Sequence, residues 1–140
     1  MRCPACDGDW PRPDHRIADL GACVAYVHDD QFFRGWTVLV LKRHATELFE
    51  LSGADRAKLA DEVAAVAAAL ARLYSAVKIN YALLGNQIPH IHWHVIPRLR
   101  DDPAPRDSVW TVSHEPHRLA AAELSGQISA LRAAFAEARP

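Results

Sequence analysis

The chain has few cysteines, no excess charge of either sign and no long apolar run, and each shortage excludes something. No stretch of its 140 residues approaches the roughly 18 apolar residues needed to cross a bilayer. The opening Met1-Arg2-Cys3-Pro4-Ala5-Cys6-Asp7 lacks the apolar core of a signal peptide, so a cytoplasmic protein without a membrane partner is expected. Three cysteines, an odd number, argue against a disulfide framework. The net charge is −1, from 16 basic and 17 acidic residues, which argues against binding nucleic acid through a basic face. A small phosphate-bearing ligand stays open, because a few local donors suffice for it. No internal repeat, low-complexity tract or linker interrupts the sequence, so residues 1–140 are expected to form a single domain.

What the chain does have is a core and an unusual number of histidines. Half of the residues are hydrophobic and 24% are charged, a composition that folds. Histidine occurs eight times, and three of the eight fall within five residues.

Residues 2–19, rich in Pro, Asp and Arg, are expected to be irregular. Residues 21–28 and Trp36 to Leu41 are short apolar runs separated by a turn at 32–35, which predicts an antiparallel pair of strands. Ser52 is a capping residue ahead of a helical pattern. From Asp55 to Val77 the apolar positions Leu59, Val63, Val66, Leu70, Leu73 and Val77 step by three or four and mark one buried stripe. Residues 78–84 and 88–97 alternate as strands around Gly85-Asn86-Gln87. Pro116 to Ala138 is expected to be a second helix, with Leu119, Leu124, Ile128, Leu131 and Phe135 inward. Such strands, with short links and interspersed helices, predict an α+β fold with an antiparallel sheet.

Within 88–97 the segment Pro89-His90-Ile91-His92-Trp93-His94-Val95-Ile96-Pro97 alternates strictly. Successive strand residues point to opposite faces, so His90, His92 and His94 share one face and Ile91, Trp93 and Val95 the other. The apolar face belongs to the core, and the imidazoles are expected to face a cleft or solvent. Two chemistries fit three imidazoles in register: metal ligation by all three, or imidazole as nucleophile and phosphate-binding group. Asn80, Asn86, Gln87 and His94, with the backbone around Gly85, are the available donors for phosphate oxygens.

His90-Ile91-His92-Trp93-His94-Val95-Ile96 resembles the signature of the histidine triad (HIT) family of nucleotide hydrolases and transferases. Gly35 to His44, the helix that follows, the Asn80 strand, the glycine turn and Pro97-Arg98 fall in the family's order, so the resemblance spans about residues 3–110. It implies a HIT-like sheet of about five antiparallel strands with one long central helix and a C-terminal helix. It also implies that His92 attacks the α-phosphate of a nucleotide, such as a dinucleoside polyphosphate or nucleoside phosphoramidate, and carries a transient nucleotidyl group. His94 would contact the phosphate, and Asn80 and Asn86 correspond loosely to phosphate- or ribose-contacting positions. A homodimer and no organic cofactor are further implications.

Two positions depart from the family pattern. Gln87 stands where many members carry Ser or Thr to assist the leaving group, and Trp36 stands where a histidine often follows the glycine; Trp36 is expected to be packing. Cys3-Pro4-Ala5-Cys6 is the usual near pair of a tetrahedral zinc site. Some HIT proteins complete such a pair with the histidine after the second strand and the first triad histidine, which here implies a structural zinc on Cys3, Cys6, His44 and His90. His15, His28, His114 and His117 are expected at the surface, Cys23 in the core, and Trp110 in packing. Lys42, Arg43 and Arg98 either steer phosphate or are solvated. The competing functions are a metal-dependent hydrolase using the triad as ligands and a nucleotide-binding sensor without turnover.

Overall fold

The computed structural model describes residues 2–138. Five strands form one sheet in the order β1-β2-β3-β5-β4, with antiparallel neighbours throughout: β1 Arg16–Asp19, β2 Cys23–Val27, β3 Thr37–Leu41, β4 Lys78–Ala82 and β5 His92–Arg98. Three helices accompany it: α1 Pro4–Asp7, α2 Gly53–Leu73 and α3 Ala121–Ala138.

Helices α2 and α3 cover one face of the sheet. Leu59, Val63, Val66 and Leu70 of α2 and Leu124, Leu131 and Phe135 of α3 meet Ile17, Ala25, Val27, Leu39, Ile91 and Val95 in one apolar cluster. Burial of these side chains, at about 1.5–3 kcal/mol each, is what holds the helices on the sheet. The Ser52 hydroxyl accepts from the Asp55 N–H and starts α2 where the capping signal predicts. The helix stops at Leu73 rather than Val77, because the chain turns at Ser75 (φ 50°); Leu73 and Val77 are therefore exposed. Glu62 of α2 accepts from the Ala22 and Cys23 N–H groups at 2.7 and 2.9 Å, tying the helix to the β1–β2 turn.

The other face carries His92 and His94. Pairing of Val38 with His94, Val40 with His92 and Ala82 with His94 places these side chains on one side. A second, smaller cluster of Phe33, Trp36, Ile96 and Val109 packs there. Gly35, in the turn before β3, has φ +93°, and a Cβ on it would lie 2.7 Å from Pro97 Cγ and 2.8 Å from Tyr74 Cε2. Only glycine fits that turn, and the turn delivers Trp36 to the triad face.

Three segments differ from expectation. Residues 2–19 are ordered into α1 and β1, which are too short to show a period and are held by pairing with β2 and by contacts from the rest of the chain. Helix α3 begins at Ala121 rather than Pro116, because the Gln31 N–H donates to the His117 carbonyl and the His117 N–H to Asp30, holding that stretch against the β2–β3 loop. The last strand begins at His92, not Ile88. His90 sits in a bend, and Ile91 is pinned instead by its N–H to the Ala45 carbonyl and by the Leu41 N–H to its own carbonyl.

Candidate functional site

The three triad imidazoles do not face solvent. His90, His92 and His94 are 2%, 5% and 8% exposed: His92 and His94 are roofed by two segments the pattern does not reveal, and His90, outside the strand, packs against Cys3, Cys6 and His44. Trp10, from the N-terminal segment, lies edge-on over His92 with ring centroids 4.8 Å apart. Trp110, in a 3-10 turn over Val109–Thr111, lies edge-on to His94 at 5.1 Å and to Trp36 at 5.5 Å.

Each imidazole is oriented by a different partner. His92 Nδ1 is 2.7 Å from the His90 carbonyl. A carbonyl only accepts, so Nδ1 holds the proton. Burial pushes the His92 pKa below its ordinary value, outweighing the hydrogen bond to the His90 carbonyl that favours the charged ring, so the neutral ring is favoured and Nε2 keeps its lone pair. His94 is the reverse case. The Trp36 indole N–H donates to His94 Nδ1 at 3.0 Å, and an indole can only donate. Burial, then His92 and His28, drive the His94 pKa down to about 3, so the ring is neutral and its proton resides on Nε2. The site thus presents one bare nitrogen on His92 and one N–H on His94, from rings whose centroids are 5.2 Å apart.

His90 looks elsewhere. Its Nε2–H donates to the Leu41 carbonyl at 2.6 Å, which turns Nδ1 toward Cys3 Sγ (3.4 Å), Cys6 Sγ (3.6 Å) and His44 Nδ1 (3.3 Å). Cys6 Sγ and His44 Nδ1 are also 3.4 Å apart. A tetrahedron with Zn–S near 2.3 Å and Zn–N of 2.0–2.1 Å has edges of about 3.5 Å between sulfur and nitrogen and about 3.3 Å between nitrogens. The three distances from His90 and the one between Cys6 and His44 match those edges, and the Leu41 carbonyl is the kind of outer partner that fixes a ligating histidine. Among the described residues this is the one group of His, Cys, Asp or Glu donors that converges, all within 4.8 Å, and it takes neither His92 nor His94.

The candidate substrate-binding amides lie apart from this centre. Asn80 is on the triad face opposite Ile96, and its Oδ1 accepts from Arg98 Nη1 at 2.7 Å; it borders a groove of about 570 Å³ together with Ile96, Asp107 and Trp110. Asn86 and Gln87 are exposed in the β4–β5 loop. Arg98 is neither solvated nor free to steer phosphate: it is buried against Asp102.

Several of the remaining histidines are also more than surface residues. His15 is buried with Nδ1 2.9 Å from the Val27 carbonyl, and His114 pairs with Asp30 at 2.6 Å. His28 stacks on Trp36 at 3.8 Å, and its Nδ1 accepts from the Asp30 N–H. The contribution of Trp36 was hidden in the sequence; the only signal was its place after Gly35, where the family often has a histidine.

The comparisons agree with the fold and the triad. The HIT domain profile matches residues 11–101, and the chain belongs to the HIT family. A histidine triad protein from Bradyrhizobium japonicum is 35% identical, with 86% of this chain and 89% of that one covered and a TM-score of 0.78. One from Sinorhizobium meliloti 1021 is 32% identical over 83% and 85% of the two chains, with a TM-score of 0.76. A zinc-bound histidine triad family protein from Mycobacterium smegmatis is 26% identical over 98% and 95%, with a TM-score of 0.70. No curated protein matches the chain. The family supports a nucleotide-binding, hydrolase-type function. No helix among the described residues is long and apolar enough to cross a membrane.

Proposed function

We propose that the protein hydrolyses or transfers nucleotidyl groups by attack of His92 Nε2 on an α-phosphate, with dinucleoside polyphosphates or nucleoside phosphoramidates as substrates. The observation that carries this reading is the opposed pair of tautomers, a bare nitrogen on His92 beside an N–H on His94. Attack forms an N–P bond as the bond from phosphorus to the leaving group breaks. The ring becomes a cationic imidazolium, whose Nδ1–H already points at the His90 carbonyl, so the charge develops against a dipole in place. The His94 Nε2–H donates to a phosphoryl oxygen. Water then attacks phosphorus, loses its proton to solvent, and releases a nucleoside monophosphate from a neutral His92. Asn80, Asn86 and Gln87 are assigned to phosphate or ribose. Gln87, being an amide, hydrogen-bonds the leaving group but does not protonate it.

Cys3, Cys6, His44 and His90 are assigned to a structural zinc, supported by their convergence, by four donor distances that match tetrahedral edges and by the zinc-bound relative. When bound, the ion supplies cross-linking, with four protein ligands and no open position. Through His90 that cross-link steadies the carbonyl that orients His92. A homodimer through the free edge of β4 is part of the same reading, supported by the exposed Tyr81, Leu84 and Val77 along and beside that strand.

The test is nucleoside monophosphate release from a panel of such substrates in excess EDTA. Wild-type protein should turn over and form an acid-labile phosphohistidine, and His92→Asn should abolish both. Turnover that stops in EDTA while the protein keeps its structural zinc, and returns with added metal ion, supports the metal-hydrolase alternative instead. Binding without release supports a sensor.

A further inference from the structure

We infer that Trp36 is a positioning residue which holds His94 as a neutral Nε2–H donor, a role that rests on the phosphate-binding assignment of His94 above. The indole is buried, and its N–H reaches His94 Nδ1 at 3.0 Å. It is clamped from several sides: His28 stacks flat on it at 3.8 Å and 3°, Trp110 meets its edge at 5.5 Å, and Phe33, Ile96 and Val109 pack around it. The Gly35 turn, which accepts no other residue without a clash against Pro97 and Tyr74, sets where it enters. The indole therefore has one pose, and in that pose its only polar atom meets an imidazole nitrogen.

The chemistry of the pair is one-sided. An indole N–H donates and never accepts, so His94 Nδ1 must offer a lone pair, and the single proton of the neutral ring is confined to Nε2. Tautomer exchange would leave two N–H groups pointing at each other in a buried site. A histidine at position 36 would be less restrictive, since it can donate or accept and can share a proton with His94. The bond is also not a by-product of burying an indole: Trp93 Nε1 is buried with no hydrogen-bond partner among the described residues, so the fold does not pair every such group. His94 is thereby prepared as the donor that complements the bare nitrogen of His92, and the reorganisation is paid before the phosphate arrives.

The experiment reads the proton directly. In protein labelled with ¹⁵N-histidine, long-range ¹H–¹⁵N correlations distinguish bare from protonated ring nitrogens. In the wild type, His94 should show a bare Nδ1 and a protonated Nε2, with a scalar coupling across the hydrogen bond to the Trp36 indole nitrogen. Trp36→Phe keeps the packing and removes the donor; His94 should then average between tautomers, with kcat/KM lower by about 10- to 100-fold. Trp36→His, which restores a donor, should recover part of both signals. A folded Trp36→Phe variant whose His94 stays wholly Nε2–H overturns the proposal, as does the absence of the coupling in the wild type, which needs no variant to fold. The tautomer readout also separates the two claims. Wild-type protein inert on every nucleotide but with His94 locked by Trp36 retires the reaction and keeps the positioning. An active wild type with an unmoved tautomer in Trp36→Phe retires the positioning and keeps the reaction.

Discussion

Replacing Arg98 with methionine is expected to cost this protein a large part of its stability. Arg98 lies at the end of the triad strand with its guanidinium sealed in. Nε and Nη2 donate to the two Asp102 oxygens at 2.6 and 3.0 Å, and the side chains of the pair are 3% and 2% exposed. Nη1 donates to Asn80 Oδ1 and the Asp107 carbonyl, and Nη2 to the Ala104 carbonyl. Methionine fills most of the volume but leaves the Asp102 carboxylate buried, with the Ala104 N–H as its remaining contact. Breaking a buried pair from one side costs about 3–5 kcal/mol, against a total stability of about 5–15 kcal/mol for a domain. At this chain length that lowers the melting temperature by about 10–20 °C. In the wild type, burial pushes the Asp102 carboxyl up, but Arg98 and the Ala104 N–H outweigh it and hold the pKa below its ordinary value. That contribution is present above the ordinary carboxylate range and is lost as pH falls through the lowered value. In Arg98→Met the sign reverses: burial alone raises the carboxyl, so the deficit is largest near neutrality and narrows toward pH 4–5 (roughly the carboxylate range) as Asp102 takes up a proton. Urea unfolding followed by tryptophan fluorescence, at fixed protein concentration, measures this, and Arg98→Met/Asp102→Asn should recover at least half of the loss. A loss below about 1 kcal/mol, or no recovery in the double variant, refutes the reasoning, because the stranded carboxylate would then carry no penalty.

Metal analysis should find close to one zinc per chain, and Cys3→Ser or His44→Asn should cut the occupancy by about tenfold or more while lowering the melting temperature; metal-free wild-type protein of unchanged stability would sink the structural assignment. Gly35→Ala should destabilise by about 2–4 kcal/mol through backbone strain and the clash with Pro97 and Tyr74, read from the urea midpoint. His94 takes its proton near pH 3 when folded and near 6.5 when unfolded, so the unfolded chain binds more protons between those values and stability falls as pH drops through that window. His94→Gln should therefore remove about 1.6 kcal/mol of the stability lost by the wild type between about pH 6.5 and pH 5, measured by denaturant titration at both values.

Local patterning carried much of the architecture. The three-and-four spacing from Leu59 to Leu70 made α2 legible because that helix lies on a sheet and needs one apolar stripe. Alternation around His92 and His94 was legible because a strand has two faces and the core takes one. Short, mixed segments were not: β1 offers four residues with a single buried apolar side chain, Ile17, and exists because β2 pairs with it. Arg98 illustrates the same limit for side chains, since a strand-end arginine looks alike in sequence whether it meets solvent or Asp102.

The sequence by itself determined the family, the sheet with its long helix, the shared face of His92 and His94, and the four residues proposed as a zinc set. These are properties of spacing and residue type, which the chain carries locally and which the family resemblance extends. The tertiary structure alone decided what each imidazole does there. His90 leaves the strand because Ile91 bonds to Ala45 and Leu41, and its ring then turns to thiols that lie 84 and 87 residues away in the chain. Burial under Trp10 and Trp110 keeps His92 and His94 uncharged, and one carbonyl and one indole assign their protons in opposite senses. Alternation shows which side a residue takes, but a proton goes where its partner lets it, and those partners are brought together only by the fold.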